Sequence, residues 1–330
     1  MFIFGLGNVV GTARNEEKRD ALQAKGFQVF DFAPDEYELL GGKALECLEA
    51  ATHVLSTVPP NEEEAIEDPV LMAHMRNLGD KASRFKWIGY ISSTSVYGNH
   101  DGDWVNEQSE VRATSGKGFI RLMAEHEWLH LYYNYHAPVH IFRCGGIYGP
   151  RRSAIEAVRQ AGLPSPSQRR RAQQQYTFRV HVYDICQTIE ASTRHPNPGS
   201  VYNIADDDPA GRLEVMQYAA QLLEQAHEPI AGLAEDSLGS SSSDEQPPEV
   251  TSSRGAGNGG AAPGSSDVIE VLRGSEGGAL ALTRVAAPAR AGEKRVSNQR
   301  IKRELGVRLA FPTYREGLAA ILRNDMRPFD

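Results

Sequence analysis

The chain has 330 residues, with 35 basic and 43 acidic side chains, a formal charge of −8 and 40% hydrophobic content. That balance suits a water-soluble fold of one large or two small domains and excludes a general nucleic-acid surface, which needs clustered Lys and Arg. No apolar run reaches the roughly 18–20 residues of a membrane helix. Cys47, Cys144 and Cys186 are odd in number and form no C-x-x-C pair, so a reducing compartment, the cytoplasm, is expected.

The opening MFIFGLG reads as a strand, and no leader is expected before it. In chain order, residues 2–5, 9–14 and 27–32 are short apolar or β-branched runs that predict strands, as do 51–58, 86–93 and 137–144. Helical stretches lie between them at 16–26, 42–50 and 118–135, and another covers 212–226. Apolar strands alternating with helices predict an α/β fold, a doubly wound, Rossmann-like parallel sheet covered on both faces. The core is expected over 1–150, with a smaller substrate lobe built from 151–231 and 290–330. Ser, Gly, Pro, Asp and Glu dominate residues 232–267, a composition that predicts a disordered insertion. Glu62–Glu64 and Arg169–Arg171 are expected to be a solvated helix start and a solvated basic loop. A helical, globular pattern resumes over 297–322.

Gly5-Leu6-Gly7 after the first strand suggests the turn that brings a dinucleotide pyrophosphate to a helix N-terminus. A lone G-x-G is a weak signal, and the same glycines would equally serve a simple tight turn. A parallel crossover needs about a dozen residues, yet Gly7 runs almost directly into NVVGTAR. If NVVGTAR is a loop, 16–26 is the first helix and Asp31 meets the ribose hydroxyls, favouring NAD. If a helix is missing, VVGTAR is the second strand and ends at Arg14, which suits the 2′-phosphate of NADP.

A competing pattern lies within 118–135. His126-Glu127-Trp128-Leu129-His130 is an H-E-x-x-H, which places two imidazoles one turn apart with a carboxylate to activate zinc-bound water. The longer form of that motif wants Gly where Tyr133 stands, and the helical pattern runs on through it toward His136. An ordinary amphipathic helix explains the stretch better, and no metal is expected.

Ser92-Ser93-Thr94-Ser95-Val96-Tyr97-Gly98 closes a predicted strand, and FRCGGIYGPRR (142–152), RVHVYDI (179–185), VYNIADDDP (201–209) and KRVSNQRIKRELG (294–306) follow in order. Together they resemble the NAD-dependent epimerase/dehydratase family of extended short-chain dehydrogenases/reductases, in its atypical, YeeZ-like branch. The resemblance implies NADP or NAD as cofactor and a small-molecule substrate, by resemblance a sugar nucleotide. It also implies a homodimer through paired helices that include 118–135. Nucleic-acid and membrane partners are not expected.

Carried over residue by residue, the resemblance assigns Ser93 to the reacting oxygen of the substrate. It places the family's Tyr-x-x-x-Lys pair on Lys117 and Arg121, a departure that puts ordinary dehydrogenase chemistry in doubt. Tyr97 and Tyr148 are alternative phenols. Gly5, Gly7, Arg14, Ser56, Thr57, Val58, Pro59, Ser92, Gly146 and Ile147 are the implied cofactor contacts, with Gly145–Pro150 as a turn near the nicotinamide. His181 and Asp184 serve structure or substrate equally well. Two other functions stand beside the enzyme: a non-catalytic nucleotide sensor or scaffold, and the zinc hydrolase of His126, Glu127 and His130.

Overall fold

The computed structural model describes residues 8–33, 39–60, 68–160, 176–226, 271–272, 281–282 and 293–329. The run expected at 9–14 forms β1 (Val10–Ala13), followed by α1 (Glu16–Gln23) and β2 (Gln28–Asp31). Asn15 caps α1 by accepting the Lys18 N–H at 3.0 Å, and Glu16 and Glu17 occupy its first turn, where carboxylates suit the helix dipole. Next come α2 (Gly42–Ala50), β3 (His53–Ser56) and α3 (Pro69–Asp80). The sequence pattern did not assign α3, although its start follows helix-capping rules. Asp68 accepts the N–H groups of Val70 and Leu71 at 3.0 and 3.1 Å, and Pro69 opens the first turn.

The chain continues through β4 (Trp87–Ser93), β5 (Trp104–Val105), α4 (Gly116–Tyr135) and β6 (Val139–Cys144). Gly145–Pro150, expected as a turn, instead contributes β7 (Gly146–Tyr148), and α5 (Ala154–Gln160) follows. Then come β8 (Arg179–His181), α6 (Val182–Arg194), β9 (Val201–Ile204) and α7 (Arg212–Gln225). A short antiparallel pair, β10 (Val271–Leu272) and β11 (Ala281–Leu282), precedes β12 (Arg295–Val296). The stretch 297–322 splits into α8 (Gln299–Leu305) and α9 (Tyr314–Leu322), because Gly306 at φ +64° ends α8 in a left-handed cap.

Four strands form one parallel sheet in the order β3-β4-β6-β9, with Ser93 opposite Cys144 and Cys144 opposite Ile204. Every residue of β6 is buried, as befits a central strand covered on both faces. Leu71, Leu78, Trp128 and Leu131 of α3 and α4 pack with Ile88, Tyr90, Val139 and Ile141 in one core. In a second core, Ile185 and Ile189 of α6 and Ile301 and Leu305 of α8 meet Trp87, Phe142, Tyr202 and Ile204. The sheet is therefore doubly wound, as the sequence implies. A third core joins Ile155, Val215, Leu223, Tyr314 and Leu318 from α5, α7 and α9.

β1 and β2 form a separate parallel pair, and among the described residues β1 makes no ladder with β3. β7 pairs parallel with β8, and β12 with β5. The segment ending in β12 is knitted into the core residue by residue. Lys294 Nζ donates to Gly98 O at 3.0 Å, Arg295 Nε to Gly102 O at 2.7 Å, and Asn298 Nδ2 to Ala205 O at 2.8 Å. Ser297 O accepts from Asn203 Nδ2 at 3.2 Å. Residues 2–5 with Gly5 and Gly7, Glu62–Glu64, Arg169–Arg171 and 232–267 lie outside the described residues.

Candidate functional site

In an open parallel sheet, ligands meet the loops at the carboxyl ends of the strands, and β4 ends there with Ser92 and Ser93. Ser93 starts a 3-10 turn over Thr94–Tyr97, its hydroxyl accepting the Ser95 N–H at 3.2 Å. α4 presses its first turn against that turn. A Cβ on Gly118 would lie 2.6 Å from Ser95 O, so glycine is what permits the approach. One turn further on, Arg121 reaches the end of β4, where Nη1 donates to Ile91 O at 2.9 Å and to Tyr90 Oη at 3.3 Å. Ser92, Ser93 and Arg121 are thus brought together. Lys117 is exposed on the first turn of α4.

Beneath these residues lies a buried polar network that the sequence reading did not anticipate. Ser92 Oγ donates to Glu125 Oε1 at 2.5 Å, and Arg143 grips the same carboxylate through Nε at 3.0 Å and Nη2 at 2.7 Å. The two side chains are 1% and 7% exposed. Burial works against the Arg143 charge, but Glu125 outweighs it and holds the guanidinium pKa above its usual value. Arg143 also stacks 4.8 Å from the centre of the Tyr97 ring, and Tyr97 Oη donates to Asn203 Oδ1 at 2.8 Å. The Asn203 N–H in turn donates to Glu107 Oε1 at 2.9 Å. Arg143 within the otherwise apolar VHIFRC and Glu125 one turn beyond Arg121 were the available signals, since a charge on a buried strand requires a partner.

The two alternative phenols are both held by the fold. Tyr97 is fully buried and committed to Asn203, and burial raises its pKa. Burial raises that of Tyr148 as well, and its hydroxyl is wedged where a Cβ on Gly317 would lie 2.1 Å away. His181 and Asp184 are structural. His181 Nδ1 accepts the Tyr183 N–H at 3.2 Å as the cap of α6, and burial lowers its pKa to about 4. Asp184 accepts the N–H groups of Ala310 and Phe311 at 2.6 and 3.1 Å; burial raises its pKa to about 6 against those two bonds.

At the end of β3, Ser56 is 4% exposed and its hydroxyl has no hydrogen-bond partner among the described residues. Thr57 and Pro59 are exposed and Val58 is half-buried. Gly146 donates its N–H to Phe178 O at 2.8 Å while standing exposed at the start of β7, with Ile147 half-buried beside it. An orphaned buried hydroxyl at one strand end, and a bare glycine backbone across the sheet from it, fit a dinucleotide lying over this edge.

The β1–β2 pair bears on which nucleotide that is. A first Rossmann strand would neighbour the fourth, but β1 pairs with β2 alone among the described residues. The N-terminus of α1 also carries Glu16 and Glu17, the wrong charge for a pyrophosphate. The geometry therefore agrees with VVGTAR as the second strand, leaving Arg14 exposed just beyond its end. Asp31 Oδ2 is engaged by Arg19 Nη1 at 2.6 Å.

The H-E-x-x-H triplet sits on an unbroken α4. Glu127 Oε2 accepts the Asp68 N–H at 2.8 Å and so braces α3, while His130 Nδ1 meets Asn134 Nδ2 at 2.9 Å. Among the described residues no group of three His, Cys, Asp or Glu side chains is arranged to hold a metal ion. None of the model's described helices is long and apolar enough to cross a membrane.

Two further buried ionisable groups stand at this end of the molecule. Asp206, just past β9, is 4% exposed with Oδ2 unpartnered among the described residues, and burial raises its pKa to about 8. Lys294 is 6% exposed, and burial lowers its pKa to about 8.

No family model and no curated protein matches the sequence. Solved structures do. A functionally unknown conserved protein from Silicibacter pomeroyi DSS is 29% identical, with a TM-score of 0.66 over 97% of this chain and 91% of its own. The dTDP-glucose 4,6-dehydratase of Bacillus anthracis, in complex with NAD, is 13% identical with a TM-score of 0.62 over 98% and 89%. The UDP-glucuronic acid 4-epimerase of Bacillus cereus, also in complex with NAD, is 14% identical with a TM-score of 0.58 over 96% and 91%.

Proposed function

We propose that this chain, which has the fold of the NAD-dependent epimerase/dehydratase family of short-chain dehydrogenases/reductases, binds a nicotinamide dinucleotide across the carboxyl edge of its sheet and presents it to a small molecule. The observation that carries this reading is the convergence of Ser92, Ser93 and Arg121 at the end of β4, with the orphaned Ser56 hydroxyl one strand away. Structural neighbours with NAD bound across the same fold support it. A sugar nucleotide is the proposed substrate class, by the same neighbours.

Arg14, Ser56, Thr57, Val58 and Pro59 would hold the adenosine half, with Gly5 and Gly7 at the pyrophosphate. Arg121, Ser92, Gly146 and Ile147 would border the nicotinamide riboside. When bound, the nicotinamide supplies a hydride donor or acceptor. The Ser93 hydroxyl orients a substrate oxygen, and Arg121, tied to Ile91 O, adds a guanidinium with further donors. Proton transfer then falls to Lys117 or to the substrate itself, because both neighbouring phenols are committed elsewhere. That shortage favours a second reading, a nucleotide-responsive sensor or scaffold without turnover. The molecule is proposed to act in the cytoplasm as a homodimer, with the small lobe of α5, α7 and α9 closing the substrate side.

Titration with NADPH and NADH, followed by nucleotide fluorescence, tests the reading. NADPH is expected to bind more tightly, and Arg14→Ala to remove the preference. A chain that binds neither nucleotide sinks the proposal. Substrate-dependent change in nucleotide absorbance decides between enzyme and sensor.

A further inference from the structure

The family's catalytic pair leaves one buried cation of this face unused. Lys294 reaches the carboxyl edge from a segment nearly 200 residues beyond β4, and its ammonium donates to Gly98 O at 3.0 Å. Gly98 ends the turn that Ser93 begins. Its φ is +67°, and a Cβ there would meet the Arg112 carbonyl carbon at 2.7 Å, so the carbonyl that receives Lys294 is held by a position only glycine fills. On its other side the ammonium lies 5.7 Å from the centre of the Phe178 ring. Phe178 O, in turn, holds the Gly146 N–H at 2.8 Å. Lys294 therefore bridges the two loops that flank the proposed substrate position.

An ammonium has three donors. Here one is used inside the protein, by a neutral carbonyl, and among the described residues no carboxylate pairs with it. Buried charges in folded proteins are paired or bound to ligands, because an unpaired one is costly. Arg143, the other buried cation above this edge, is paired with Glu125, whereas half-buried Arg295 has a carbonyl, Gly102 O, and the Trp104 ring as its partners. Among the described residues, Lys294 alone of these three combines full burial, spare donors and no anionic partner.

We propose that Lys294 is an oxyanion anchor, its two remaining N–H groups receiving a phosphate or carboxylate group of the small-molecule substrate. This rests on the reading of this face as a substrate site, and it gives that substrate's anionic group a named residue. Burial lowers the pKa of the amine to about 8, so an anion should favour the protonated form and raise it.

The chain has eight lysines, few enough for 13C-lysine NMR of the full-length protein, with the Lys294 signal assigned from Lys294→Arg. Inorganic phosphate and acetate, each balanced against chloride at constant ionic strength, are the probes. Phosphate, acetate or both are expected to raise the Lys294 titration midpoint by about one unit, a tenfold preference for the ammonium. Exposed Lys86 is the internal control. A shift under both anions no larger than that of Lys86 overturns the proposal. So does a shift produced by NADPH alone, since the anion would then belong to the nucleotide. Lys294→Met should abolish phosphate or acetate binding by calorimetry while NADPH binding persists, and equal anion binding by that variant counts against the assignment. A wild-type chain that shows the anion shift but binds no NADPH would keep Lys294 as an anchor and remove the nucleotide function instead.

Discussion

Arg143 and Glu125 show what one charged residue inside an apolar strand demands. The strand supplies the cation and α4 the carboxylate, and Ser92 completes the carboxylate's coordination from the neighbouring strand. Replacing Arg143 with Met leaves Glu125 buried without its counter-ion, a change that costs about 3–5 kcal/mol in comparable pairs. Urea unfolding should show that loss, and the double variant Arg143→Met, Glu125→Leu should recover much of it. Asp206 carries the pH-dependent counterpart. Burial raises its folded pKa to about 8, above the unfolded value near 3.9. Its contribution to stability is therefore complete below about pH 4 and lost as pH rises toward 8, because the unfolded chain ionises first. Asp206→Asn removes that dependence. Its melting temperature, measured relative to wild type, should climb between pH 5 and pH 8, and parallel profiles would show that Asp206 ionises normally in the folded protein.

At the scale of elements, α4 depends on its seating against the turn after β4. Gly118→Ala adds a methyl that would sit 2.6 Å from Ser95 O, and the helix must slide to admit it. The expected cost is about 1–3 kcal/mol, together with weaker nucleotide binding as Arg121 loses its place at Ile91 O. Unchanged affinity would separate Arg121 from the nucleotide. This coupling also marks where the sequence was legible. The residues 42–50 read as α2 without correction, and 118–135 read as α4 to within two residues at its start, because both carry a helical apolar period. Arg121 meets the end of β4 at Ile91 O, next to Ser92 and Ser93, while Lys117 is exposed on the first turn of α4. By contrast, α3 went unassigned because its determinants are the Asp68 cap and Pro69, and Glu127 of the zinc-like triplet proved to brace that cap. Lys294 and Asp206 carry no local pattern at all. Their burial arises only when segments distant in the chain meet, Lys294 on Gly98 and Asp206 beside Arg179, and periodicity cannot report it.

At the scale of the whole molecule, the described strands fall into several separate ladders. Among the described residues β1 and β2 form their own parallel pair, β3, β4, β6 and β9 form one sheet, and α1 offers acidic residues at its N-terminus. Such an arrangement agrees with the reading of β1 as a second strand and α1 as a second helix. Inserting a helix of about 20 residues, some 30 Å long, after Gly7 should tighten NADPH binding several-fold by restoring a helix N-terminus for the pyrophosphate. Fluorescence titration of the two forms side by side checks this, and equal affinities would mean that the short connection already serves.

The stitching of Lys294–Asn298 into loops made by Gly98, Gly102 and Ala205 has a consequence in time. A ribosome adds roughly 5–20 residues per second, so several seconds separate the synthesis of α7 from that of Lys294. Throughout that interval the nascent chain already holds β4, α4 and β9, but not the strap that fastens their carboxyl ends. α8, which covers one face of the sheet, arrives later still. The growing polypeptide therefore passes through a stage with the carboxyl edge of its sheet unfastened and part of its apolar core uncovered. That stage is when a chaperone has most to protect.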